Sequence, residues 1–334
     1  MSLNLDALAT APRLLLEAHL QPLQGTRFQP TGFPNLGAAT YDGPNGERML
    51  LVESAQSMAN RLETVCWDKP SDDWVPPLRG LPLAKVLDKS GKALTNSVLE
   101  AHRLNSEYIA RTPGFKEIAD KIGYKPDRPF ELHKQLIPVL LRHDVNSLLH
   151  GLFLEEVAGV IRFPRSLSAF IEASEIKSAS SGGVKVSAVN PGLKGGEGNV
   201  IYPREEFVSA NIIAYFNLDL AQIRAFGLGN TVSQLLIVLA LFKIQALLHS
   251  GLRLRTACDL EVKDSGIIIK RPTGFVLPSL AQLEAALPSL IEAVATDQRW
   301  PADRVTRVIW EGLAKPKKES TKGAEKPPDT ASDE

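Results

Sequence analysis

Two arginines in the C-terminal half of the chain have a spacing that suits phosphate. Arg253 and Arg255 lie in the alternating stretch "LRLRTACDLEV" at 252–262. In a β-strand, side chains two residues apart share a face and are separated by about 6.6 to 6.8 Å. That approximates the distance between successive phosphates on a nucleic-acid strand. Because Asp259 and Glu261 follow on the same stretch, ion pairs across the sheet are the alternative, and the sequence leaves both open.

A second group of basic residues lies in a stretch that is poor in acids. Arg162 and Arg165 occur in "VIRFPRS", and Lys177, Lys185 and Lys194 follow. Such a stretch more often forms an ordinary solvated surface. Aromatic residues make up only 6% of the chain, and the stacked aromatics typical of RNA-recognition domains are missing. Any nucleic acid would therefore be held mainly through its backbone.

No catalytic or metal-binding motif occurs. GxxxxGK[ST], GxSxG, HExxH and CxxC are all missing. His133, His143 and His150 stand ten and seven residues apart, with Asp144 beside the second, a spacing that favours scattered structural histidines over a metal site. We therefore predict no catalytic residues, no metal and no cofactor.

The overall composition indicates a globular cytoplasmic protein. Its 334 residues include 38 basic and 38 acidic side chains, so a nucleic-acid partner requires that the fold sort the basic residues onto one face. Cys66 and Cys258 are too far apart in sequence to indicate a disulfide framework, which predicts reduced thiols. Residues 1–20 resemble an amphipathic helix, not a signal peptide, and "LLIVLALF" at 235–242 predicts a buried helix too short to cross a bilayer. We expect no membrane partner.

Polar side chains are concentrated directly after a predicted buried strand. "RMLLVE" at 48–53 reads as the strand, and a helix follows whose apolar stripe includes Ala59 and Leu62. On its other side we expect Glu53, Ser57, Asn60, Arg61 and Thr64, with Gln56 at the margin. By periodicity this is a solvated face, and a ligand-binding face is the alternative.

The remaining elements predict an α+β fold. A capping box of Ser97 and Glu100 predicts a helix over 97–110. A strand at 207–220, a buried helix at 231–251 and a hairpin that turns at "KDSG" (263–266) complete a split ferredoxin-like pattern. The glycine-rich stretch 178–203 reads as a projecting hairpin. Residues 314–334 contain no large apolar side chain and are expected to be disordered.

Four strings together resemble one protein family. They are "RFQPTGFPNLGAATY", "LLVESAQSMANRLE", "EAHRLNSEYI" and "LRLRTACDLE". They are similar to the backbone subunit of type I-G (formerly I-U) CRISPR interference complexes, the RAMP protein often called the Cas-seven-type subunit of Cascade. The resemblance runs from about residue 14 to 313.

The resemblance implies a fold and partners. The fold would be a modified RNA-recognition (ferredoxin-like) palm within a single domain, 1–313, carrying large insertions, with 178–203 as a thumb-like hairpin. Several copies would line up along CRISPR RNA as a filament without cutting it, and target DNA would pair with the guide. Other partners would be the large subunit and the repeat-end-binding subunit of the complex.

The residues that we expect to face RNA come from the matched strings and from the basic stretches. The residues from the matched strings would belong to the palm. Because the net charge is zero, a basic RNA-binding groove would be offset by an acidic outer surface. The full set is Arg27, Gln56, Asn60, Arg61, His102, Arg103, Arg162, Arg165, Lys185, Lys194, Arg253 and Arg255.

Two other functions stay open at this stage. A metal-dependent ribonuclease of the same superfamily would use Asp144 or His102. A protein-binding scaffold would bind its partners equally well after nuclease treatment.

Overall fold

The computed structural model describes residues 3–33, 37–125, 127–155, 157, 161–185, 200–297 and 300–312. The predicted tail 314–334 lies outside these residues. In the described part, the strands are β1 (Arg13–Pro22), β2 (Arg27–Phe28), β3 (Gly32–Phe33), β4 (Gly37–Ala38), β5 (Thr40–Asp42), β6 (Arg48–Glu53), β7 (Trp67–Asp68), β8 (Asp73–Trp74), β9 (Leu83–Leu87), β10 (Ala93–Asn96), β11 (Leu152–Leu154), β12 (Ile161–Phe163), β13 (Leu167–Ser174), β14 (Lys177–Lys185), β15 (Val200–Val208), β16 (Asn211–Asp219), β17 (Arg253–Arg255), β18 (Cys258–Arg271) and β19 (Val305–Ile309).

Helices alternate with these strands, as expected for a mixed α/β protein. The α-helices are α1 (Ala55–Thr64), α2 (Glu107–Ala110), α3 (Phe115–Ile122), α4 (Leu132–His143), α5 (Val145–His150), α6 (Leu220–Ala225), α7 (Asn230–His249) and α8 (Leu280–Thr296). Short 3-10 helices are formed by Asp6–Leu8, Pro76–Leu78 and Arg103–Asn105.

A central antiparallel sheet organises the molecule. Its strand order is β17–β18–β1–β16–β13–β6–β5. In β1 the side chains of Leu14, Leu16, Ala18 and Leu20 are buried, which is the two-residue period of a strand. The amphipathic helix predicted over 1–20 is therefore wrong, because burial alternates from residue 14 onward and β1 pairs with two neighbouring strands.

The helix α7 forms the centre of the apolar core. It packs on α1, α5, α6 and α8, and most of its side chains are buried. The prediction of a buried helix over 231–251 is confirmed, although its apolar run 235–242 was taken as too short to cross a bilayer. At 20 residues, α7 is by length and composition the one helix among the described residues that could cross a membrane. Its burial shows that it serves here as a core helix.

The predicted helix over 97–110 is replaced by turns. The Ser97 hydroxyl accepts a hydrogen bond from the backbone N–H of Ala84, so it does not cap residue 100. The Glu100 carboxylate accepts from Thr95 and Ser106 instead of reaching back to Ser97. Only α2 (Glu107–Ala110) in this stretch is α-helical. The capping-box pattern is present, but tertiary partners take both of its side chains.

The glycine-rich segment is a hairpin, as predicted. β14 pairs with β15 in antiparallel register from Lys177–Val208 to Lys185–Val200, and β2 pairs with the base of β15. The loop 186–199, with Lys194, lies outside the described residues. The assignment of 178–203 as a thumb stays a prediction.

The predicted hairpin turn at 263–266 is wrong, because one continuous strand runs through these residues. β18 runs from Cys258 to Arg271 along one neighbour, β1. Ala18 pairs with Ile267 and Leu20 with Val262, so residues 263–266 bulge out of the strand opposite His19. The tight turn lies instead between β17 and β18, where Ala257 has a φ of 58°. β1 is long enough to pair with both halves of β18, which removes the need for a turn.

Candidate nucleic-acid interface

Five of the predicted residues line one cleft of about 340 Å³. The cleft lies between the start of α1, the 3-10 helix Arg103–Asn105, the end of α5 and the β11–β12 hairpin. The five are Gln56, His102, Arg103, Arg162 and Arg165. The structure therefore brings together residues that are separated by up to 109 positions in the sequence.

The rim of the cleft carries two arginines without a carboxylate partner among the described residues. Arg162 is exposed on β12, opposite Phe153 on β11, and its guanidinium lies 5.6 Å from the Phe153 ring centroid. Arg165 donates a hydrogen bond to Gln56 Oε1, and Gln56 Nε2 donates to Asn60 Oδ1 at 3.4 Å. Burial and the neighbouring Arg103 lower the pKa of Arg165. An anion in the cleft would offset that unfavourable charge.

The predicted RNA contact Arg103 belongs to the interior of the protein. Its side chain is 5% exposed and donates to both carboxylate oxygens of Glu63, Nε to Oε1 at 2.7 Å and Nη2 to Oε2 at 2.6 Å. Such a bidentate pair is well suited to a site away from water. The prediction that Arg103 faces outward is corrected: it forms the floor of the cleft.

One residue behind the floor, Lys243, was missed by the sequence reasoning, and His150 was taken as a scattered structural histidine. Lys243 of α7 is fully buried and donates to Asn146 Oδ1 at 2.6 Å. Its Nζ also lies 3.1 Å from His150 Nε2, and His150 lines the cleft. A single lysine inside the apolar run of α7 was the available signal, since a buried ammonium requires acceptors.

Gly151 allows α5 and β11 to meet at the cleft. It has a φ of 77°, and a Cβ atom there would lie 2.7 Å from the carbonyl oxygen of Phe163. Its own carbonyl accepts from Arg103 Nη1 at 3.4 Å. Glycine is therefore required, because a side chain would push the β11–β12 hairpin away from His150.

Another group of predicted residues is occupied by contacts within the protein. Arg61 donates to the buried carboxylate of Glu53 at 2.9 Å and to the carbonyl oxygens of Arg253 and Leu254. Arg255 forms an ion pair with Glu53 and donates to the Gln29 carbonyl at 3.1 Å. These contacts join β6, α1 and β17. The expectation that Glu53 lies on the outer side of the helix is wrong, because it is the shared buried acceptor.

The remaining predicted residues lie apart from the cleft. Arg253 pairs with Asp259 across β17 and β18 at 3.6 Å, which is the ion-pair alternative. Arg27 is half-exposed and bridges β2 to Glu206 of β15 at 2.9 Å. Lys185 lies in β14 at the far end of the hairpin register, opposite Val200.

The residues considered for catalysis have separate surroundings. Asp144 is fully buried and accepts from the Ser147 hydroxyl at 2.7 Å, and burial raises its pKa to about 7. His143 Nδ1 lies 2.7 Å from the Thr306 hydroxyl, while His150 contacts Lys243. Within the described residues, no three His, Cys, Asp or Glu side chains are grouped as metal ligands. His102 is exposed at the rim of the cleft.

Comparisons with known proteins place part of this chain beside CRISPR-associated sequences. Residues 14–178 match the family described as "CRISPR-associated protein GSU0053 (Cas_GSU0053)". This is just under half of the chain, and it includes every residue that lines the cleft. No curated protein matches.

Solved structures similar to this chain include two from surveillance complexes. A chain of a "CRISPR RNA-guided surveillance complex, pre-nicking" is 14% identical, with 86% of this chain and 88% of that chain covered and a TM-score of 0.44. "Crystal structure of Thermofilum pendens Csc2" is 10% identical, with coverages of 88% and 81% and a TM-score of 0.32. A "CRISPR RNA-guided surveillance complex" chain is 12% identical, with coverages of 86% and 84% and a TM-score of 0.35.

Proposed function

We propose that this protein is a backbone subunit of a CRISPR RNA-guided surveillance complex, of the type I-G kind, and that it holds guide RNA without cutting it. The observation that carries the proposal is the family match over 14–178. The cleft lies wholly within those residues, and its rim arginines have no carboxylate partner among the described residues. Together these support an anionic partner for this face of a protein whose overall charge is zero.

Contacts between arginine and phosphate would give affinity that does not depend on the guide sequence. Phosphate contacts position a nucleic acid, whereas base contacts specify it. A subunit that must accept any spacer needs the first kind only. Target DNA would then be selected by base pairing with the guide, following the general logic of RNA-guided recognition.

The assembly follows from the same proposal. Copies of the chain would line up along the guide, with the β14–β15 hairpin as the thumb and the central sheet as a RAMP-type, ferredoxin-like palm. The large subunit and the repeat-end-binding subunit would complete the complex in the cytoplasm. The length of the hairpin, nine residues in each strand, supports its reaching beyond the body of the subunit.

The direct test is expression of the full chain together with its CRISPR array. We expect the purified protein to carry RNA of guide length, measured by the ratio of absorbance at 260 and 280 nm and by sequencing of the RNA. Recovery of an RNA-free monomer that forms no assembly on added guide contradicts the proposal.

Charge variants test the cleft. Arg162→Gln and Arg165→Gln should each weaken guide binding and reduce the slope of log K against log salt by about 0.7, the value for one contact with single-stranded phosphate. Arg307→Gln removes an exposed arginine of β19 that pairs with Asp303, and it should leave the slope unchanged. Equal slopes for all three variants would remove the cleft from the interface.

The ribonuclease alternative has less support from the site. Asp144 lies buried on Ser147 and does not line the cleft, which leaves His102 as the exposed candidate. Labelled RNA incubated with the assembled protein and a divalent metal should stay intact. Cleavage that disappears in Asp144→Ala or His102→Ala would favour the enzyme.

A further inference from the structure

The cleft ends on a buried histidine with one unused nitrogen. His150 is 1% exposed and lines the cleft. Its Nε2 lies 3.1 Å from the Lys243 ammonium, while its Nδ1 has no hydrogen-bond partner among the described residues. Buried ring nitrogens are normally paired, so this one indicates a missing partner.

The contact with Lys243 determines which nitrogen carries the proton. A lysine ammonium has three donors and no acceptor, so Nε2 must accept. In a neutral imidazole the proton then lies on Nδ1. Burial, with Lys243, Arg103 and Arg165 nearby, lowers the pKa of His150 well below its usual value, so the ring is neutral. The unused Nδ1–H is therefore a donor that needs an acceptor.

The charges around that donor select an anion. Arg103, Arg162 and Arg165 line the same cleft, and Lys243 lies behind it. The one carboxylate joined to this group, Glu63, is already engaged in the bidentate pair with Arg103. An acceptor that enters the cleft would first meet the arginines at the rim. The Nδ1–H of His150 is itself buried, so the acceptor reaches it only if the side chains that cover it move aside.

We infer that the cleft is a phosphate subsite in which neutral His150 donates from Nδ1 to a phosphate oxygen, and in which Lys243 is the positioning residue that fixes this tautomer. The inference rests on the proposed function in taking the phosphate to be part of the guide RNA. The arrangement of the imidazole N–H and the buried Lys243 ammonium is also present in the free protein, so phosphate binding can be tested without RNA.

Two substitutions at one position separate the two ring nitrogens. Asn places an amide donor close to the position of Nδ1, whereas Gln reaches toward Nε2 and can still pair with Lys243. We expect His150→Asn to bind inorganic phosphate within about threefold of the parent protein, and His150→Gln to bind about tenfold more weakly, the loss of roughly one hydrogen bond. The reverse order overturns the inference.

The tautomer can be observed directly in the full chain. Long-range ¹H–¹⁵N spectra distinguish protonated from unprotonated ring nitrogens, and the chain contains six histidines, so the His150→Asn spectrum assigns the signal. We expect protonated Nδ1 in the parent protein, a mixture of tautomers in Lys243→Met, and movement of the Nδ1 signal when inorganic phosphate is added. Acetate at equal ionic strength should move it less.

The outcomes distinguish this inference from the proposed function. If phosphate leaves the His150 signal unchanged in a protein that still binds guide RNA, the subsite is wrong and the function stands. If phosphate moves the signal but no guide RNA is recovered, the subsite stands and the function falls. If acetate moves it as strongly as phosphate, the site is a carboxylate site and the inference is overturned.

Discussion

At the scale of single residues, the Glu63–Arg103 pair has the largest expected effect on stability. Both side chains are almost fully buried, and the arginine is held with a φ of 53°. Removing two charges from water is costly, and the pair offsets that cost through two short charge-assisted bonds. Removing one partner leaves the other charge buried without compensation.

Arg103→Met should lower the free energy of unfolding by about 3 to 5 kcal/mol, measured by urea denaturation. Replacing both partners, Glu63→Leu with Arg103→Met, should recover most of that loss, because no uncompensated charge remains. Arg162→Met is the matched control, since its guanidinium is exposed and has no carboxylate partner within the described part of the chain, and it should change stability by less than about 0.5 kcal/mol. A double variant as unstable as the single one would contradict this account.

Asp144 should make stability depend on pH in a sense opposite to that of most carboxylates. Burial raises its pKa from 3.8 to about 7, so between these values the native state keeps a proton that the unfolded state has released. Stability is therefore lost as the pH rises from about 4 to 7, at up to about 1.4 kcal/mol per pH unit. Asp144→Asn removes this term, so the variant should gain on the parent protein over that range.

The difference between the two unfolding curves is the quantity to measure. Burial lowers the pKa of His143 to about 4, and this histidine gives the parent protein a slope of opposite sign between about 4 and 6.5. Because the Asn variant keeps His143, subtraction isolates Asp144. A difference that does not change with pH would show that Asp144 is ionised in the native state.

Residue types and spacing predicted that the site is basic and polar, but they predicted less well which residues line it. Gln56, His102 and Arg165 do meet in one cleft. Arg61 and Arg255 do not, because their partner Glu53 is buried, and period-3.6 reasoning had assigned it to the outside. Whether an arginine faces solvent or a buried carboxylate depends on tertiary contacts such as Arg61 to Leu254, which no local pattern contains.

At the scale of elements, the β14–β15 hairpin is attached to the body through its base. Phe207 of β15 and Phe28 of β2 are buried and directly paired, and Arg27 reaches Glu206. The outer end of the hairpin, where Lys185 pairs with Val200, lengthens the two strands but takes no part in these contacts at the base. The outer part of the hairpin should therefore be dispensable for folding.

Replacing residues 186–199 with Asn-Gly should leave the fold intact and impair assembly. The two-residue turn suits an antiparallel pair that ends at Lys185 and Val200. Thermal unfolding followed by circular dichroism should change by only a few degrees. Mass photometry on guide RNA should show fewer copies per RNA than the parent protein. A full complement of copies would show that the hairpin is not the thumb.

Helices and strands were predicted correctly where the spacing of apolar residues fitted only one type of element. The strand β6, the helix α1 and the core helix α7 follow directly from apolar periodicity. The helix predicted over 97–110 does not form, because both side chains of the capping box bond outside it. The Ser97 hydroxyl accepts from the Ala84 N–H, and the Glu100 carboxylate accepts from the Thr95 hydroxyl. The turn at 263–266 failed because β1 pairs with both sides of the bulge, and strand pairing is a property of the sheet.

At the scale of the whole molecule, the balance of 38 basic and 38 acidic residues favours repeated copies. Neutral subunits do not repel one another, whereas strongly basic subunits would. The cleft can then bind RNA while outer surfaces of neighbouring copies meet through complementary charge. Under the proposed function, the RNA itself limits the number of copies.

Lengthening the guide should therefore add subunits in whole steps. Native mass spectrometry of complexes formed on guides of increasing spacer length should show the number of copies rising by one at a fixed increment of nucleotides. A guide shortened by that increment should lose one copy and serves as the matched control. A copy number that stays constant over all lengths would contradict a repeated backbone.

The lysine in α7 also has a consequence while the chain is being made. α7 leaves the ribosome before α8, which covers it in the finished protein, has been synthesised. For that interval the cell meets a 20-residue segment with the length and composition of a membrane anchor. A lysine inside such a segment raises the free energy of insertion, by about 2.5 to 3.5 kcal/mol at its centre and by less toward an end. We therefore expect Lys243, six residues from the end of α7, to disfavour insertion of the nascent chain before it takes its place behind His150.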